Sequence, residues 1–112
     1  MMSDSSLKEL RCAPCTGKTK SLSELEIKKN LNNLNKWELN DDKNMIFKKY
    51  IFKNFKAAVT FLNSVSEIAE FESHHPDISV GWGYCLIMIH THAIKNLSIN
   101  DFILAAKIDE IK

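Results

Sequence analysis

EFESHHPDISVGWGYCLIMIHTHAIKNLSIND, running from Glu70 to Asp101, is the stretch that decides how this chain folds, and it holds all four of its histidines. Pro76 pushes the residue before it out of the helical region, so a helix should end just ahead of His75 and leave that residue extended. Ile78–Trp82 reads as a strand, Gly81 and Gly83 suit a turn or bulge around Trp82, and Tyr84–His92 reads as the next strand. Alternation puts Cys85, Ile87, Ile89 and Thr91 on one face of that strand and Leu86, Met88, His90 and His92 on the other. Ser98, with Asp101 three residues on, has the spacing of a helix start, and Phe102, Ala105, Ile108 and Ile111 then line one side of a last helix.

Working outward, Asn54 is a candidate N-cap for a long helix whose Ala58, Phe61, Leu62, Val65, Ile68 and Ala69 recur at helical spacing. Upstream, Trp37 and Leu39 fall on one side of a short strand. Asp41–Asn44 supply turn residues, and Met45–Phe52 is rich in aromatic and β-branched residues. Both faces of that second strand are mixed, Ile46/Lys48/Tyr50/Phe52 against Met45/Phe47/Lys49/Ile51. The first helix should start near Ser23, where Ser23 and Glu26 have capping-box spacing, with Ser21 and Glu24 as a competing start. Ile27, Leu31 and Leu34 mark its apolar side. The order α-β-β-α-β-β-α predicts an α+β domain, a four-stranded antiparallel sheet with helices packed on one face. Residues 1–20 read as a flexible N-terminal arm and residues 21–112 as a single domain.

With 112 residues, 45% hydrophobic and 26% charged, the composition is that of an ordinary globular domain. A formal net charge of +1 gives no field that would recruit nucleic acid or an anionic membrane. The lysines between Lys43 and Lys56 alternate with apolar residues and read as a solvated strand face. No apolar run reaches the roughly 20 residues that span a bilayer, and the polar N-terminus lacks the core of a secretory signal. Three cysteines argue against a disulfide framework. A cytoplasmic location is therefore expected. Cys12 and Cys15 form one CxxC without a second pair, so reduced thiols on the arm are favoured over a zinc or redox site.

The histidines sit at the ends of elements, where a rigid scaffold can hold catalytic groups. Glu70 and His74 are four apart and could pair on a helix. A helix end at Pro76 lets His74 and His75 approach one pocket, and His92 arrives from a strand end. Trp37, Trp82 and Phe71 are candidates for a flat apolar wall. Against this stand plainer readings. A single histidine is more often a surface or packing residue, and His90 is left outside the site on that ground. Asp101 could serve only the helix dipole, and the tryptophans could be packing residues.

Glu70-x3-His74-His75-Pro76, then Trp82, Thr91-His92 and Asp101, resembles the hallmark of the pterin-4a-carbinolamine dehydratases. Asn35–Leu39, Ile46–Val65 and the CxxC arm followed by Leu22–Ile27 look like bacterial members, so the resemblance spans about residues 10–112. Three positions depart from it: Trp82 stands where Tyr is often found, Gly83 where Asn is usual, and Ser73 where an acidic residue is common. The resemblance implies loss of water from a 4a-hydroxytetrahydropterin to give a quinonoid dihydropterin, with no metal and no cofactor. It casts His74, His75 and His92 as catalytic residues and Glu70, Trp37, Trp82 and Pro76 as substrate-binding residues. Thr91 and Asp101 would support them, Asp101 beside His92. It also implies a homodimer or homotetramer, acting on a pterin without contacting nucleic acid or membrane. Two other classes stay open: a non-catalytic dimerisation cofactor of the same fold, and a metal-dependent hydrolase using His74, His75, His92 and Glu70.

Overall fold

The computed structural model describes residues 7–111. Its elements follow the expected order: α1 Glu24–Asn32, β1 Glu38–Leu39, β2 Ile46–Ile51, α2 Phe55–Glu72, β3 Asp77–Gly81, β4 Tyr84–Ile89 and α3 Ile99–Ile108. The strands form one antiparallel sheet in the order β1-β2-β4-β3. Among the described residues no helix is long and apolar enough to cross a membrane.

Local chemistry sets the boundaries. Ser23 caps α1 through a complete capping box with Glu26, and Asn54 caps α2 by accepting the Ala57 N–H at 2.8 Å. The tip of the β3–β4 hairpin is Trp82–Gly83, where Gly83 takes φ +83°, open to glycine at little cost. The Gly83 carbonyl accepts the Phe52 N–H at 2.8 Å, tying this tip to the end of β2.

Cys85, Ile87 and Ile89 of β4 are fully buried, as are Phe102, Leu104 and Ile108 of α3 and Val65 of α2. Each large side chain buried here contributes about 1.5–3 kcal/mol against exposure. Along β2 and the residue that follows it the inward set is Ile46, Lys48, Tyr50 and Phe52, which the mixed pattern left open. Lys48 faces inward because Asp109, at the end of α3, takes its ammonium at 2.8 Å. Tyr50 packs on Phe61 with ring centroids 4.4 Å apart.

The N-terminal arm differs from expectation. Its first six residues lie outside the described residues, but Leu7 is buried and residues 11–15 are hydrogen-bonded across the α2–α3 junction. Glu72 accepts the Cys12 N–H at 2.8 Å and pairs with Arg11 and Lys107 at 3.2 and 3.3 Å. Asn100 exchanges two bonds with Ala13, accepting at 3.0 Å and donating at 2.9 Å. Backbone groups of an otherwise irregular segment thereby find partners that composition could not reveal.

Candidate active site

α2 ends at Ser73, which adopts the left-handed conformation at φ 55°. The N–H groups of Ser73 and His74 turn back to the carbonyls of Glu70 and Ala69 at 3.3 and 3.2 Å. This tight turn separates the two neighbouring histidines. His74 goes inward and is 5% exposed, while His75 stays at the surface. Pro76 then sets the chain extended into β3.

Each of three imidazoles faces a carboxylate. His74 Nε2 lies 2.6 Å from Asp101 Oδ1, both buried. His75 Nε2 lies 2.6 Å from Glu70 Oε2, both exposed. His92 Nε2 stands 4.0 Å from Asp77 Oδ2, also exposed. An ionised carboxylate only accepts, so His74 and His75 carry their protons on Nε2.

Asp101 is fully buried yet satisfied. Its second oxygen accepts the Thr91 hydroxyl and the Ser98 N–H, each at 2.8 Å. The N-terminus of α3 favours that negative charge further. On its other side His74 presents Nδ1 to the Cys15 thiol at 3.5 Å, so both ring nitrogens are engaged. Asn100 donates to the same sulfur at 3.2 Å.

One end of the sheet brings the three pairs together. β3 begins at Asp77, two residues after His75, and runs antiparallel to β4, which ends just before the His90–His92 segment. Thr91 is joined to Asn96 by an isolated bridge and to Asp101 through its hydroxyl, which anchors the neighbouring His92. The His90 and His92 rings lie 4.1 Å apart.

Cys12 contributes no nucleophile: burial, reinforced by the nearby Glu72 charge, pushes its thiol up to about 12. Burial alone would raise the Glu72 carboxyl, but the Cys12 N–H, Lys107 and Arg11 together hold it below the usual carboxylate range.

A profile of the family described as pterin 4 alpha carbinolamine dehydratase matches residues 20–111. The chain belongs to the pterin 4 alpha carbinolamine dehydratase family. Relatives provisionally named for this activity include one from Methylococcus capsulatus, 43% identical over 95% of this chain and 93% of its own. One from Legionella pneumophila is 44% identical over 96% of each chain, and one from Rickettsia canadensis is 46% identical over 92% and 94%. A transcriptional coactivator/pterin dehydratase from Brucella melitensis has a similar structure, with a TM-score of 0.77 at 26% identity, covering 80% of this chain and 96% of its own. A pterin dehydratase-like protein identified as a RuBisCO assembly factor in the alpha-carboxysome shares the fold, with a TM-score of 0.57.

Several partnerships differ from those expected of a family site read from sequence. Glu70 pairs with His75, not His74, because the left-handed turn at Ser73 breaks the helical register between them. Asp101 supports His74, not His92, and Asp77 is the carboxylate beside His92. Trp37 is buried, with its indole N–H donating to Asp109 at 2.9 Å. That places it about 12 Å of helix away from Asp101, at the opposite end of α3. Trp82, 73% exposed, sits at the hairpin tip, some 16 Å of strand from Asp77, which follows the HHP triplet. Neither indole therefore walls the histidines within this chain.

Sequence reasoning missed Asp77, Cys15 and the placement of His90. Asp77 was signalled by its position directly after the HHP triplet. His90 was signalled by sharing a strand face with His92. Nothing in the sequence links Cys15 to His74 across 59 residues.

Proposed function

We propose that this protein removes water from 4a-hydroxytetrahydropterin, giving the quinonoid dihydropterin, by histidine acid–base catalysis. Hydroxide is a poor leaving group, so an acid protonates the 4a-oxygen as the C–O bond breaks. A base takes a proton from the pterin ring system, and the two transfers leave the protein's proton count unchanged over a turnover.

The observation that carries this reading is the set of three imidazole–carboxylate pairs at one end of the sheet. His75 and His92 are exposed, and each keeps a ring nitrogen that no hydrogen bond from the described residues engages; they exchange protons with the substrate. His74 has both nitrogens occupied and assists from behind, fixing the chain that carries the neighbouring His75. Glu70 orients His75, Pro76 fixes the turn between them, and Thr91 and Asp101 hold His74 and the His92 segment in place. We assign the catalytic unit to residues 21–112, acting in the cytoplasm as a homodimer or homotetramer in tetrahydropterin recycling.

Stopped-flow decay of chemically generated 4a-hydroxytetrahydropterin tests the proposal. Added protein is expected to accelerate decay by at least about a hundredfold, the scale of positioned acid–base groups. Decay at the spontaneous rate with protein present would refute it. A second reading, a dimerisation cofactor of a transcription factor, is supported by the coactivator name of the Brucella melitensis structure. A folded, oligomeric protein without dehydratase activity would favour that reading.

A further inference from the structure

We propose that Asp77, His90 and His92 form a binding site for a divalent transition metal of the zinc class, and that occupancy switches off dehydration. One ligand atom from each of these residues lies within 4.8 Å of the others. Two imidazoles and a carboxylate are a donor set suited to Zn²⁺, Ni²⁺ or Fe²⁺, with remaining positions left for water. Tetrahedral ligation at about 2.0–2.1 Å needs these atoms to close by roughly 1 Å. Asp77 and His92 are exposed side chains that can turn to make that movement.

His90 is the residue that makes the cluster a site. It lies on the face of β4 that carries Met88, directly opposite Asp77 in the antiparallel register. Among the described residues its Nδ1 is buried with no hydrogen-bond partner, so no protein hydrogen bond at that atom fixes the ring. His74 and His75, by contrast, are each bound to a carboxylate at 2.6 Å.

The regulatory half of the proposal rests on the dehydratase reading, in which His92 exchanges protons with the substrate. A metal takes the lone pair that proton transfer needs, so one residue cannot serve both at once.

Isothermal titration of Zn²⁺ into chelator-treated protein tests the site without reference to activity. One equivalent should bind, and Co²⁺ in its place should give a visible d–d spectrum without a sulfur charge-transfer band. His90→Ala removes a direct ligand and should weaken binding by more than about a hundredfold, beyond the roughly 10–100-fold lost with a residue that merely orients one. His75→Ala and Cys15→Ser should leave it unchanged. Absence of stoichiometric binding, or equal binding by His90→Ala, overturns the site. Loss of binding in His75→Ala or Cys15→Ser instead places the metal elsewhere and overturns it as well. In the stopped-flow assay Zn²⁺ should slow the wild type in step with occupancy and spare His90→Ala. An active wild type that stays fully active at saturating Zn²⁺ overturns the switch. A metal-free wild type with no activity counts against the dehydratase reading, while the titration still decides the metal site.

Discussion

The two ends of α3 each bear a carboxylate that gathers three partners, and they do opposite work. Asp101, at the N-terminus, takes a backbone N–H, a hydroxyl and an imidazole. Asp109, at the C-terminus, takes the Trp37 indole, the Tyr50 hydroxyl and the Lys48 ammonium. The helix dipole explains the difference. It favours an anion at the first end, so Asp101 can stay charged beside a buried imidazole without a permanent cation. It disfavours one at the second, where a permanent cation, Lys48, must be supplied. One end thereby holds a buried imidazole in place, and the other fastens the sheet to the helix.

The largest effect expected is at Asp101. Asp101→Ala leaves Thr91, Ser98 and His74 without their shared acceptor, and should cost about 3–5 kcal/mol of stability in chemical denaturation. Asp109→Ala should cost less, about 2 kcal/mol, because its partners sit nearer solvent. Dehydratase turnover should survive that change; loss of turnover with folding intact would break the contrast between the two ends.

Effects on pH dependence are smaller and come from the arm that covers the Asp101 end. Glu72 is depressed in the folded protein, so its contribution is present above the ordinary carboxylate value of 4.5 and is lost as pH falls through the folded value. Glu72→Gln should flatten the acid limb of a stability–pH curve. Cys12 acts in the opposite direction. Its folded value of about 12 lies above the ordinary 9.0, so the stability held by the protonated thiol is complete below 9.0 and is lost between those values. Cys12→Ser should flatten the alkaline limb. Smallest of all, Trp82→Ala at the hairpin tip should change stability by no more than about 0.5 kcal/mol and leave KM unaltered.

What the sequence disclosed was local. Ser23 with Glu26, Asn54, and Ser98 with Asp101 mark helix starts through side-chain bonds that span three residues, so spacing alone reveals them. The alternation of β4 is clear because its inward residues are apolar. That of β2 is not, because Lys48 faces inward to meet Asp109. The HHP triplet and the Thr91-His92 pair announced a histidine site, but not its pairing. Which carboxylate meets which ring depends on the left-handed turn at Ser73, whose φ no spacing rule supplies. Trp37 was misplaced for a similar reason: its partner Asp109 lies 72 residues away in sequence.

Imidazoles delivered by a helix end and a sheet end are expected to act on one substrate. Stopped-flow decay of 4a-hydroxytetrahydropterin with the folded double variant His75→Ala/His92→Ala tests it most directly. Decay at the spontaneous rate is expected; turnover near that of the wild type would show that these imidazoles do not carry the reaction.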